Sequence, residues 1–250
     1  MSAQPEKPTI VLVPGAWHKA SQYAPLTTRL ESAGYEVHGI DYPSTGPNPT
    51  NENFDPDVAV IRSAIAALAD EGKDVVVVVH SAAGILASEA AKGLSRKDRG
   101  KAGGITHMVF LCAFAAAEGV SLYDATGGPE DWVIVSGPKH VSPHDPKARF
   151  YNRCPPDVAD DAVAQLGDNK FAEGTVRSKA TYAAWKHIPC TYLICENDRA
   201  IPLVAQEAMV QQPGAGFEVV RCEADHSPFL CMPDFTAEVV RRAAGKTVGG

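Results

Sequence analysis

Nowhere in its 250 residues does this chain carry an apolar run approaching the roughly 20 residues that a membrane-crossing helix needs. The stretch Met1–Pro8 is polar and holds no apolar segment of signal-peptide length. There is no basic run, and a formal net charge of −7 leaves nothing to offset phosphate repulsion, so neither nucleic acid nor membrane is expected as a partner. None of the cysteines forms a Cys-x-x-Cys pair. Cys112, Cys154, Cys190, Cys195, Cys222 and Cys231 read as free thiols in a reducing compartment. His140-Val-Ser-Pro-His144 lacks the acid or cysteine neighbours of a metal site, so no metal is expected. Internal repeats and low-complexity segments are absent as well. What survives these exclusions is a cytoplasmic globular protein acting on a small-molecule substrate, as a monomer or homodimer.

Apolar runs and helical patterns alternate along the chain. Thr9-Ile-Val-Leu-Val13 is a strand that stops at Pro14-Gly15, and Tyr23, Leu26 and Leu30 recur at helical spacing. Tyr35 to Ile40 alternates like a strand, and a Pro/Gly/Ser/Asn-rich loop runs from Pro43 to Asn53. Asp55-Pro56-Asp57 opens a helix with Val58, Ile61, Ile65 and Leu68 on one face. Five consecutive valines, Val75 to Val79, form a strand buried on both faces, which implies a parallel sheet between helical layers. A helix follows to about Leu94, then a strand from Ile105 to Phe114. The rhythm breaks over residues 115–188, where two short helices are expected, at Val158–Leu166 and near Thr175–Ala184. It resumes with strands at Cys190–Cys195 and Phe217–Cys222 and helices at Leu203–Gln211 and Phe235–Ala244. The pattern predicts a single α/β domain: a mostly parallel sheet of about six strands built from residues 8–114 and 189–244, with a helical and loop cap inserted at 115–188.

Ser81 stands where the valine strand, through His80, turns into the small-residue helix Ala82-Ala83-Gly84-Ile85-Leu86-Ala87. Such a strand–turn–helix lifts a serine hydroxyl above the carboxyl edge of the sheet, where ligands of open α/β sheets bind. The usual Gly-x-Ser-x-Gly is altered here to Val79-His80-Ser81-Ala82-Ala83. A nucleophilic serine needs a base and a carboxylate to orient that base. His226 follows the last strand and Asp198 the strand before it, giving the chain order Ser81, Asp198, His226. Glu196, Asp225 and Glu118 compete for the acid, and Asp198, just ahead of a helix start at Pro202, is the choice. The turn after the first strand can supply the Ala16 N–H, and the elbow the Ala82 N–H, as an oxyanion hole, with Gly15 permitting the turn.

Four stretches carry a resemblance: Val11-Leu-Val-Pro-Gly-Ala-Trp-His18, Val79-His-Ser-Ala-Ala-Gly84, Tyr192-Leu-Ile-Cys-Glu-Asn-Asp-Arg-Ala-Ile-Pro202 and Asp225-His-Ser-Pro-Phe-Leu230. Over residues 8–244 the chain resembles the α/β-hydrolase superfamily, closest to small serine esterases of the methylesterase and hydroxynitrile-lyase type. The resemblance implies an α/β-hydrolase fold, a Ser81–His226–Asp198 triad, a cap at 115–188 and acyl-enzyme chemistry with no cofactor. The lyase branch uses a lysine after the catalytic histidine and a threonine in the oxyanion loop. Ser227 and Gly15-Ala16 stand in those places here.

The candidate substrate wall is Gly15, Trp17, His18, Phe114, Trp132, Trp185 and Phe229, with Phe150 a further aromatic. A mostly apolar wall suits a small hydrophobic or aromatic ester or lactone. Two other readings use the same residues. One is carbon–carbon bond hydrolysis or a hydroxynitrile-lyase-like step by the same triad. The other is a non-catalytic small-molecule receptor on a hydrolase scaffold.

Overall fold

The computed structural model describes residues 7–128, 131–135 and 139–245. The first six residues and the tail from 246 onward fall outside that range. The strands are β1 (Thr9–Val13), β2 (Val37–Gly39), β3 (Thr45–Gly46), β4 (Asp74–His80), β5 (Gly104–Leu111), β6 (Val133–Val135), β7 (His140–Pro143), β8 (Lys170–Ala172), β9 (Cys190–Cys195) and β10 (Phe217–Cys222). Six of them form a wholly parallel sheet in the order β10-β9-β5-β4-β1-β2. This is the α/β-hydrolase fold, with its sheet flanked by helices.

The valine run explains the centre of that sheet. Side chains alternate across a strand, so Val75, Val77 and Val79 enter one core while Val76 and Val78 enter the other. The first core lies under helices α2 (Asp55–Asp70) and α3 (Ala83–Ala91). On the opposite face α1 (Ala24–Ser32) packs with the helix Pro233–Ala243. No helix among the described residues is long and apolar enough to cross a membrane.

Several boundaries differ from the sequence reading. The β5 strand ends at Leu111 rather than Phe114, because Cys112 takes a φ of +35° and the Phe114 N–H turns back to the Ser81 carbonyl at 3.0 Å. The helix expected near Thr175–Ala184 is a short helix, Glu173–Arg177, followed by extended chain and a 3-10 turn at Ala184–Lys186. Tertiary hydrogen bonds override helix propensity there. The Ala180 backbone exchanges N–H···O bonds with Gly119 and Val120, and the Glu89 carboxylate accepts from the Thr181 and Tyr182 amides.

Residues 115–188 also contain strands. β6, β7 and β8 make a second, antiparallel sheet, and its fourth strand is β3, from the loop at 43–53. Thr45 pairs with Phe171 and Gly46 with Lys170. Beneath this seam Asp57 of α2 is fully buried and accepts from the Ser44 amide and hydroxyl, Asn51 and Thr175. Four donors replace the water that burial removes from this carboxylate. Burial still holds its pKa above the ordinary value.

Candidate active site

Ser81 has a φ of +53°, in the left-handed region where a side chain is strained. The elbow carries β-branched Val79 and Ala83 where glycines usually relieve crowding. Here the close approaches are made by two other glycines. A Cβ on Gly15 would lie 2.6 Å from His80 Nδ1 and 2.9 Å from the Ser81 Cβ, so the turn after β1 can pass the elbow only as glycine. A Cβ on Gly84 would lie 2.3 Å from the Phe114 carbonyl, where α3 crosses the exit of β5.

The turns after β4, β9 and β10 bring Ser81, Asp198 and His226 together. The Ser81 hydroxyl lies 3.0 Å from His226 Nε2, and His226 Nδ1 lies 2.8 Å from Asp198 Oδ2. A carboxylate accepts only, so Nδ1 carries the proton and Nε2 is free to accept from serine. The other oxygen of Asp198 accepts from the Ala200 and Ile201 amides at 2.7 and 2.8 Å, which fixes the carboxylate's plane. All three residues are buried, and Ser81 and His226 border the pocket.

The rival acids are engaged elsewhere. Glu118 pairs with Lys186 and Glu196 with Arg221. Asp225 accepts from the Arg153 and Ser227 amides.

Ala16 and Ala82 both border the pocket beside Ser81. Among the described residues neither backbone N–H is engaged by an acceptor, so both can turn to an anionic oxygen. The Ala16 loop is pinned to the second sheet by the next residue. Trp17 sits at a φ of +66°, its indole N–H donates to the Val141 carbonyl at 2.9 Å, and its own carbonyl accepts from Asn169.

The pocket encloses about 560 Å³ including its open mouth. Of the expected wall, Trp17, Phe114 and Trp132 line it. Gly15, His18, Trp185 and Phe229 do not. Gly15 stands behind the loop, its N–H on the Tyr23 hydroxyl. His18 is buried between the Ala16 carbonyl and the Tyr151 hydroxyl, both 2.8 Å away. Burial pushes its pKa down to about 4. Trp185 donates to the Ala116 carbonyl and packs toward Phe217, and Phe229 stacks on Tyr23 with ring centroids 3.8 Å apart. The wall also takes in Leu122, Tyr123, Val141, Phe171 and Val176 from residues 115–188, together with Ile201.

His80 has a place in the site that no sequence pattern announces. Its Nε2 lies 2.7 Å from the His226 carbonyl, an acceptor, so Nε2 holds the proton. Nδ1 therefore accepts, and the Tyr23 hydroxyl 2.6 Å away donates to it while taking the Gly15 N–H on its oxygen. One buried chain, Gly15 N–H to Tyr23 to His80 to the His226 backbone, thus joins the turn after β1, the turn at Ser81 and the loop that carries His226. Burial, with His226 and His18 nearby, holds the His80 pKa well below the ordinary histidine value.

A family model for alpha/beta hydrolases matches residues 10–239. An alpha/beta hydrolase of Aspergillus novofumigatus, nvfD, is 40% identical over 97% of this chain and 98% of its own. Methyl jasmonate esterase 1 of Vitis vinifera is 24% identical over 89% of this chain and 91% of its own. Among solved structures, a pyrethroid hydrolase from Sphingobium faniae JZ-2 superposes with a TM-score of 0.74 at 18% identity, covering 95% of this chain and 97% of that one.

Proposed function

The chain belongs to the alpha/beta hydrolase family, and from that premise we propose that it hydrolyses small hydrophobic or aromatic carboxylic esters or lactones through an acyl-enzyme on Ser81. The observation that carries this reading is the hydrogen-bonded line Ser81–His226–Asp198 at the base of an apolar pocket. A relative named as an esterase of a small methyl ester supports the choice of bond.

In this mechanism the substrate carbonyl sits between the Ser81 hydroxyl and the Ala16 and Ala82 N–H groups. Ser81 attacks and His226 Nε2 takes its proton. Asp198 holds the imidazole in the tautomer needed and offsets the charge it gains. The two amides receive the oxyanion. His226 then returns the proton to the departing alkoxide, and water repeats the sequence on the acyl-enzyme. No group in these steps comes from a cofactor or metal. The apolar wall formed by Trp17, Phe114, Trp132 and Phe171 favours an acyl or alcohol part without charge.

The test is initial rates on a panel of short aryl and alkyl esters and small lactones, for the wild type beside Ser81→Ala. The reading expects turnover that disappears with Ser81, together with labelling of Ser81 by a phosphonate probe. Labelling with no ester or lactone turnover would move the assignment to carbon–carbon substrates. The absence of both would move it to a receptor.

A further inference from the structure

Three side chains outside the triad converge where the cap segment meets the catalytic-histidine loop. Cys154 lies in the turn before the helix Pro156–Leu166, Asp225 precedes His226, and Cys231 ends the short helix Pro228–Cys231. Their two Sγ atoms and a carboxylate oxygen all lie within 4.8 Å of one another, and Cys231 Sγ is 3.2 Å from Asp225 Oδ1. Separations of that size suit a single tetrahedral ion with bonds of about 2.3 Å to sulfur and about 2.0–2.2 Å to oxygen.

The surroundings have the other properties of a site. Asp225 is fully buried, and its orientation is set by the Arg153 N–H on Oδ2 at 2.7 Å and the Ser227 N–H on Oδ1 at 2.9 Å. Such outer partners fix a metal-binding carboxylate. Cys154 and Cys231 are only partly buried, whereas Cys112, Cys190, Cys195 and Cys222 are wholly so. A surface groove lined by Tyr151, Asn152, Cys154 and Pro156 gives an ion a path to the first of these thiols. Two thiolates and one carboxylate form a soft, anionic donor set that selects zinc-like ions over magnesium or calcium.

We propose that Cys154, Asp225 and Cys231 bind one soft divalent cation, with water in the fourth position. Binding releases the two thiol protons, and no electron is transferred. The ion would fasten the turn that carries Phe150 and Tyr151 to the loop that carries His226. The Phe150 ring lies 5.5 Å from the His226 ring, and the Tyr151 hydroxyl bonds His18. The site is a strap outside the reaction, and the inference stands independently of the substrate.

Cadmium is the probe, added to the reduced full-length protein, because its thiolate bonds absorb in the near ultraviolet. The expected result is a band that saturates at one ion per chain, with two protons released. Zinc at a hundredfold excess over its Kd should raise Tm by about 5–10 °C. Cys154→Ser and Cys231→Ser should each abolish the band, and Cys190→Ala should leave it. In the wild type, bound cadmium should also shield Cys154 and Cys231 from alkylation, a readout that needs no variant. The proposal is overturned by an absent band, by a band that persists in both serine variants, by alkylation unchanged by cadmium, or by a mass showing the two sulfurs joined in the reduced protein.

Discussion

The Tyr23 hydroxyl lies 2.6 Å from His80 Nδ1 and is also the acceptor for the Gly15 amide. A single phenol oxygen therefore sets the tautomer of His80, next to Ser81, and holds the turn after β1. Replacing it as Tyr23→Phe takes only one oxygen atom out of the core but leaves a buried N–H and a buried ring nitrogen without partners. Each orphaned group costs about 1–3 kcal/mol. Urea unfolding should show that loss. Ester turnover should fall through kcat with KM little changed, because Tyr23 does not line the pocket. A variant with wild-type stability and kcat would show the chain to be dispensable.

Acid should weaken the fold before it protonates the carboxylates. His18 titrates near 4 in the folded protein, against 6.5 as a reference, and His80 is likewise depressed. The unfolded chain thus binds more protons than the folded one below about pH 6.5. Stability is complete above that value and declines as pH falls toward 4, by about 1.4 kcal/mol per pH unit for each histidine. Denaturant midpoints measured between pH 7 and pH 4 check this slope. A flat profile across that window would contradict neutral burial of both rings.

The choice of acid has a direct comparison. Asp198→Asn should lower ester turnover by a factor on the order of 10⁴, as loss of the orienting carboxylate does in serine triads. Glu118→Gln should leave it near the wild-type rate, since Glu118 faces Lys186 at the surface. The reverse pattern in the two rate measurements would reassign the role.

Substitution at the two small residues after the elbow should differ in its cost. Gly84→Ala places a methyl 2.3 Å from the Phe114 carbonyl, which neither α3 nor the end of β5 can yield easily. Overpacking of this kind costs about 1–3 kcal/mol, and Ser81 would move with the helix. Ala83→Gly, which brings the sequence nearer the common elbow, should cost at most about 1 kcal/mol of helix propensity. Thermal unfolding of the two variants, with phosphonate labelling rates of Ser81, separates them.

Much of this molecule is legible in its sequence. The run Val75–Val79 can be read as a central parallel strand because both faces must be apolar, and the alternation around it leads to six strands. The positions of Ser81, Asp198 and His226 follow from strand ends, since each lies within a few residues of one. Residues 115–188 are a different matter. Their strands Val133–Val135 and Lys170–Ala172 are too short to show a period, and Thr45–Gly46 is only a fragment of a loop. Pocket residues such as Val141 and Phe171 therefore had no pattern to announce them. Trp185 and Phe229 resembled wall residues by type alone, and only packing sends them elsewhere. The His80–Tyr23 bond and the Cys154–Asp225–Cys231 cluster link residues far apart in the chain, so no local spacing could reveal either.

The pairing of Thr45–Gly46 with the strand Lys170–Ala172, backed by the Asp57 hydrogen bonds, bears on how the pocket opens. A segment 115–188 held only at its two chain crossings could swing away from the sheet as a flap. This one is stitched at a third place to the loop ahead of α2, and breaking that seam strands a buried carboxylate. Opening should therefore be a cooperative event in which residues 43–57 and the strands of the second sheet lose amide protection together. In native-state hydrogen exchange the two segments should share one opening free energy, distinct from that of the valine strand.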